Sequence, residues 1–370
     1  MLEMQAQSSK PEICLSILGA VQELAEKFKQ KYHRLPVFME VCGSHTMALA
    51  KSGVKQALKE QVKLISGPGC PVCVTDQASI DSMIALAGEE NRIICTFGDM
   101  MRVPGSERSL MDEKTAGKDI RVLYSPIEAI TIAEENPDKE IIFLGIGFET
   151  TIPILALLIR EAERKNLVNF SMWMTTKLIE PILRYLLDAG EVQLDGFILP
   201  GHVSIVLGEE SYQYLSSEYS ISGCITGFEP AQLLSGIYKL IELAYEQKKA
   251  VINDHPAVVT QKGNQTAQHL MTHYFHECDE AWRGIGIIPA SGLDLKPEFS
   301  RFNAKKKYHI ETPAPKKTKC RCGEVIRGLT SPSDCPLFSK ACHPLKPIGP
   351  CMVSSEGSCS AYYQYMRESL

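Results

Sequence analysis

Thirteen cysteines in 370 residues exceed what routine core packing needs, and their spacing sorts most of them into three chemical groups. Cys42 sits in Glu40-Val41-Cys42-Gly43-Ser44-His45-Thr46-Met47, between an apolar run and an amphipathic one. A thiol just before a helix start, with Ser44 or Thr46 as cap, is expected to have its pKa lowered toward thiolate, the form that attacks or ligates metal. His45 beside it is a candidate second ligand or proton donor. The bland alternative is an inert cysteine buried at a strand end. The second group is Ser66-Gly67-Pro68-Gly69-Cys70-Pro71-Val72-Cys73. A Cys-x-x-Cys spacing lets two sulfurs close as a disulfide or bind one metal. No second Cys-x-x-Cys completes a zinc set, so redox chemistry is the preferred expectation for Cys70 and Cys73.

The third group crowds into the last 51 residues: Cys320, Cys322, Cys335, Cys342, Cys351 and Cys359. In a reducing compartment such a cluster points to metal ligation or redox work rather than structural disulfides. Cys320, Cys335, Cys342 and Cys359 are separated by 14, 6 and 16 residues. Four thiolates can hold a cubane cluster, although Cys320-Arg321-Cys322 could equally begin a four-cysteine zinc site. Cys322 and Cys351 stand as spare candidates. Further polar residues fall on Gly-containing loops after apolar runs: Asp99 with Arg102 in Thr96-Phe97-Gly98-Asp99, Glu149 in Gly147-Phe148-Glu149-Thr150-Thr151, and His202 in Pro200-Gly201-His202-Val203-Ser204. None forms a dinucleotide fingerprint or a P-loop.

The elements that carry these loops alternate. Residues 11–31 show helical spacing, with Leu15, Leu18, Val21, Leu24 and Phe28 on one face. Pro36–Val41, Val62–Ser66 and Arg92–Thr96 are expected as strands, and Thr46–Lys59, Ser79–Glu89 and Pro126–Asn136 as helices. Such alternation predicts parallel sheets with helices on both faces, and ligands beyond the C-terminal ends of strands. The pattern then repeats. Residues 37–43 resemble 142–147, residues 64–70 resemble 197–202, and residues 93–99 resemble 223–229, with an extra unit around Phe170–Leu187. The expected fold is therefore α/β: two similar parallel-sheet domains plus a small C-terminal iron–sulfur domain. The expected divisions are an N-terminal helix at 1–35, a first α/β domain at 36–140, a second at 141–300 and the cluster domain at 301–370.

Composition bounds the partners. The chain is 44% hydrophobic and 22% charged, with net charge −5, which is ordinary for a globular protein and argues against general nucleic-acid binding. No apolar run is long enough to span a membrane, and Met1-Leu2-Glu3-Met4-Gln5 does not begin a secretory signal. A cytoplasmic location is expected. The basic stretch from Lys305 to Lys319, broken by Pro313 and Pro315, is expected to be a solvated linker.

Taken in order, the Cys42, Cys70/Cys73, Glu149 and His202 segments and the Cys-x14-Cys-x6-Cys-x16-Cys tail resemble the HypD family of hydrogenase maturation factors, from about residue 36 to 365. Ser44 departs from a Thr expected in the family but keeps the hydroxyl. The resemblance implies work with a HypC-type chaperone and a HypE-type cyanide donor, as a monomer within that hetero-complex, to build the Fe(CN)2CO unit of [NiFe]-hydrogenases. It implies that Cys42 shares the transferred iron, that Cys70 and Cys73 pass electrons as a dithiol/disulfide, and that Cys320, Cys335, Cys342 and Cys359 hold a [4Fe–4S] cluster feeding them. Cys14, Cys95, Cys224 and Cys278 fall outside these motifs and are expected to pack. Two other readings of the residues remain: a free-standing thiol–disulfide oxidoreductase fed by an iron–sulfur cluster, and a binding module with a zinc tail.

Overall fold

Eleven strands organise the chain among the described residues, which are 10–310, 316 and 318–366 of a computed structural model. In chain order they are β1 (Val37–Glu40), β2 (Lys63–Ser66), β3 (Arg92–Thr96), β4 (Asp119–Val122), β5 (Glu140–Gly147), β6 (Phe170–Thr176), β7 (Gly196–Pro200), β8 (Ser222–Thr226), β9 (Val251–Asn253), β10 (Phe275–Trp282) and β11 (Gly286–Leu295). The first sheet has the order β2-β1-β7-β8-β9 and the second β4-β3-β5-β6; every pair in both is parallel. Strands such as β5 and β6 are apolar in long runs because a parallel sheet is covered on both faces, and β6 is buried at every position.

The two-sheet α/β class agrees with the sequence expectation, but strand pairing does not follow the consecutive 36–140 and 141–300 divisions. β1 and β2 pair with β7 rather than with β3, so residues 92–176 form the second sheet as an insertion between β2 and β7. In both sheets the first strand is central, the second lies at one edge, and the later strands run out the other way. By position β1 therefore corresponds to β3, β2 to β4, β7 to β5 and β8 to β6. The internal likeness seen in the sequence paired other strands. A strand ending in a Gly-containing loop is a local pattern common to every unit, whereas hydrogen-bond partners are set by long-range topology.

That topology positions the chemistry. Each sheet reverses its winding between the first strand and its later neighbour, and the carboxyl ends flanking such a reversal are where open α/β sheets bind ligands. In the first sheet those ends carry Cys42 after β1 and His202 after β7. In the second they carry Asp99 after β3 and Glu149 after β5.

The N-terminal helix α1 (Pro11–Tyr32) opens with Pro11 in its first turn, where no backbone hydrogen bond is lost, and ends on His33 in the left-handed region. It packs Val21, Ala25 and Phe28 against a helix at Pro230–Tyr245. Burying Phe28 contributes about 1.5–3 kcal/mol. The β10–β11 hairpin is antiparallel and was not foreseen, because Pro289 lies inside β11 and proline is rare within strands. It hydrogen-bonds to the end of β6 through Thr176 Oγ1 and Leu293 N, 3.1 Å apart.

The cysteine-rich tail carries short helices at Cys322–Ile326 and Ser358–Tyr365 joined by turns. Its buried residues share one continuous core with both sheets, in which Cys335, Cys342 and Cys359 join Met39, Ile142 and Phe197. Of the stretch from Lys305 to Lys319 expected as a solvated linker, residues 305–310 are packed rather than free, Lys305 pairing with Glu280 and Lys307 with Glu140. Most of 311–319 lies outside the described residues, as does the N-terminal Met1–Gln5. No described helix is long and apolar enough to cross a membrane.

Candidate functional site

Cys42 stands in extended backbone (φ −148°) as the N-cap of α2 (Gly43–Lys51). β1 ends just before it, and Glu40 fixes that end. The buried Glu40 carboxylate pairs with the buried Lys55 ammonium and accepts a hydrogen bond from Thr46 Oγ1 at 2.7 Å. Lys55 also lies 5.2 Å from the Tyr362 ring, so the same network holds the helix that bears Cys359. The expected lowering of the Cys42 pKa is not found. Burial pushes the thiol up to about 11, helped by the Glu356 carboxylate, and backbone N–H bonds from His45 and Ser44 offset this only in part. Desolvation outweighs the helix end because the thiol is removed from water almost completely.

His45 is fully buried. Its Nε2–H donates to the carbonyls of Thr226 and Gly227, at 3.2 and 3.1 Å, while Nδ1 has no hydrogen-bond partner among the described residues. Burial drives its pKa down to about 4, so the ring is neutral. It packs on Phe228, which stacks on its other side against the exposed His202 at 4.2 Å. Stacking of one ring face on Phe228 desolvates His202 in part and holds it below its usual pKa, with Glu356 pulling the other way. His255, just past β9, feels His202 electrostatically and completes this ring-rich wall.

Cys70 and Cys73 form a disulfide with Cα atoms 5.2 Å apart. Cys70 caps the short helix α3 (Pro71–Val74), its sulfur accepting the Cys73 N–H at 3.2 Å. The preceding Gly69 is pressed against Cys42. Gly43 N–H donates to Gly69 O at 3.1 Å, and a Cβ at Gly69 would lie 2.4 Å from Cys42 Cα. Only glycine permits that approach. Arg283, at the hairpin turn, ties α3 from the far side: its backbone N–H donates to Val74 O at 2.8 Å and its Nε to Thr75 O at 2.8 Å.

The six tail cysteines line one cavity with Val325, Leu337, Phe338 and Met352. Cys322 and Cys351 bring their sulfurs to 2.7 Å. Hydrogen bonds from Cys320 and Cys351 hold the Cys322 thiol well below its usual range, and the same contacts raise the other two. The Cys322–Ile326 helix and the turn at Pro350–Met352 both pack on α3. The helix that opens on Cys322 and the turn that carries Cys351 thus touch the disulfide helix while both cysteines line the cavity. Among the described residues no three His, Cys, Asp or Glu side chains converge in single-ion geometry.

The remaining expected residues divide. Asp99 accepts a hydrogen bond from Ser354 Oγ at 2.7 Å, anchoring the tail, and lines a crevice with Pro71, Val72, Thr150 and Thr151. Glu149 turns toward the helix α4 (Ile179–Ala189), where its Oε1 accepts the Ile179 N–H at 2.8 Å. The structure therefore brings Cys42, His45, Cys70, Cys73 and His202 together and sets Glu149 against different elements. Sequence reasoning missed Glu356, whose Oε1 accepts from Ser44 Oγ at 2.5 Å and whose Cβ packs on Gly43. Its signal was a carboxylate three residues before Cys359 in a small-residue run, Ser354-Ser355-Glu356-Gly357. His255 and Arg283 carried no such signal.

Two parallel sheets, a disulfide whose loop touches a buried thiol, and a cavity lined by six cysteines define a cysteine-rich α/β protein. The chain belongs to the HypD family: the family model, described as "Hydrogenase formation hypA family", matches residues 17–366. "Hydrogenase maturation factor HypD" of Escherichia coli (strain K12) is 39% identical over 365 residues, covering 97% of this chain and 96% of its own. The protein of the same description from Cupriavidus necator is 42% identical over 339 residues, 89% of each chain. "Hydrogenase expression/formation protein HupD" of Azotobacter chroococcum is 41% identical over 357 residues, covering 94% of this chain and 93% of its own.

Proposed function

We propose that this chain is a redox-active scaffold in [NiFe]-hydrogenase maturation, on which a HypC-type chaperone and a HypE-type cyanide donor assemble the Fe(CN)2CO unit. The observation that carries the reading is the order of its sulfur groups: the tail cavity, then Cys322/Cys351, then the Cys70–Cys73 disulfide, then Cys42 against Gly69. Cys42 would hold the iron cargo together with a cysteine of the chaperone. Releasing cyanide from a thiocyanate-like carrier takes two electrons. The Cys70/Cys73 pair provides two, with two protons, as it closes from dithiol to disulfide.

The tail residues fit a [4Fe–4S] cluster. The donor set is all sulfur, the walls are apolar, Ile348 N–H donates to Cys342 Sγ at 3.3 Å, and a Cβ at Gly349 would lie 2.6 Å from Cys320 Sγ. Cys320, Cys335, Cys342 and Cys359 would hold it, with Cys322 and Cys351 as the pair facing α3. Such a cluster, when bound, supplies electrons one at a time.

Burial argues against the oxidoreductase alternative. Cys70 and Cys73 are 5% and 1% exposed, which hinders the docking of a second protein's thiolate far more than the approach of a small thiol such as glutathione. A cytoplasmic location suits a dithiol that must be re-reduced. Differential alkylation tests the dithiol. The Cys70–Cys73 peptide should take two labels only after reductant and close again in mild glutathione disulfide. Failure to oxidise would favour metal binding by the pair.

A further inference from the structure

A second cavity, of about 910 Å3, lies on the far side of the Glu149 loop from the crevice that Thr150 and Thr151 line. It falls in the ~300–1,000 Å3 range of small-molecule sites. It is walled by Leu178 at the start of α4, Met271 of the helix Gln265–Tyr274, and Phe275, Ile288 and Leu293 of the β10–β11 hairpin. It borders the carboxyl ends of β5 and β6, the end of an open sheet where ligands bind. Glu149 lines it while being 2% exposed, and its Oε2 has no hydrogen-bond partner among the described residues. An orphaned buried carboxyl oxygen costs free energy unless a ligand satisfies it.

The surrounding charges narrow the ligand. Arg184, a cation of the lining, is already matched by Glu180 at 2.9 Å and Glu218 at 2.6 Å. Asp188, His276 and Glu277 are exposed to water. Lys296, the other cationic side chain of the lining, is half-buried and keeps contact with water, so no fully buried cation is left to receive an anion. We propose that this cavity binds a small neutral molecule, apolar over most of its surface, that presents a carbonyl-type hydrogen-bond acceptor to the Glu149 carboxyl. Burial pushes the Glu149 pKa up to about 7, so the acid form that donates such a bond is well populated near neutral pH. Glu149 then does double service: Oε1 caps α4, and the other oxygen reads the ligand.

The proposal stands apart from the maturation reading, because binding is measured directly. The test titrates N-benzylbenzamide, neutral with one amide carbonyl between two rings, into the anaerobically purified full chain and follows saturation-transfer NMR. Saturable binding is expected for the wild type and for Glu149→Gln, whose amide keeps a donor. Binding should be at least tenfold weaker for Glu149→Leu and for Thr272→Trp, which fills the cavity from its exposed rim. No saturable binding to the wild type, or equal binding by all four proteins, overturns the proposal.

Discussion

Cys42 and His45 are controlled by burial more than by their neighbours' charges. Removing the Glu356 carboxylate takes away the second cause of the raised Cys42 pKa, so Glu356→Gln should increase the rate of Cys42 alkylation at pH 8, read by mass spectrometry. Stability against pH gives a sharper check, because two fully buried groups work in opposite directions. His45 is lowered from 6.5 to about 4, so its contribution is present above pH 6.5 and is lost as pH falls toward 4. Glu149 is raised from 4.5 to about 7, so its contribution is present below pH 4.5 and is lost as pH rises toward 7. Each amounts to about 3 kcal/mol, and between pH 4.5 and 6.5 they nearly cancel. Thermal melts of His45→Gln should therefore lose stability as pH rises through that window, and those of Glu149→Gln as it falls. Parallel profiles for both variants and the wild type would contradict these assignments. The thiols and their spacing were legible in the sequence. The sign of the Cys42 shift was not, because it depends on a tail carboxylate 314 positions away and on how completely the fold excludes water.

At the scale of elements, the short segment around Gly69 matters most. It joins β2 to the disulfide helix while touching Cys42, with no room for a side chain. Gly69→Ala should displace that loop and weaken iron retention at Cys42 roughly 10- to 100-fold, as outer-shell changes do at metal sites. The Cys70–Cys73 peptide should still oxidise. Unchanged iron binding, measured by metal analysis of the complex with the chaperone, would mean that the contact is incidental. Most strands and the longer helices of the first 136 residues were readable from periodicity, and Arg92–Thr96 matches its expected bounds. The expected helix Thr46–Lys59 is instead split at Gly53, and the helices at Ile152–Arg164, Pro230–Tyr245 and Gln265–Tyr274 were passed over. Which strands pair was not readable. β1 meets β7 across 155 residues, and only the burial of both their faces, with the second sheet inserted between them in sequence, selects that partner. β4 and the hairpin were passed over for compositional reasons: Asp119-Ile120-Arg121-Val122 is half polar, and Pro289 lies inside β11.

For the whole molecule, the tail is the keystone of the cleft between the sheets. Its Ser354 meets Asp99, its Glu356 meets Ser44, and its Cys322 helix packs on α3. Cys335→Ser or Cys342→Ser should abolish a cluster of about four iron and four sulfide per chain in anaerobic reconstitution, with loss of brown colour. Loss with Cys320→Ser but not with Cys322→Ser would assign Cys320 as the first ligand, and the reverse would assign Cys322. In the proposed scaffold, Cys42 carries the iron while the tail carries the electrons. Infrared spectroscopy of the chain purified anaerobically with its HypC- and HypE-type partners tests it most directly. CN and CO stretches should be present with the wild type and absent with Cys42→Ala, whose cluster absorbance stays unchanged. A Cys42→Ala complex that still carries cyanide-ligated iron would contradict the account.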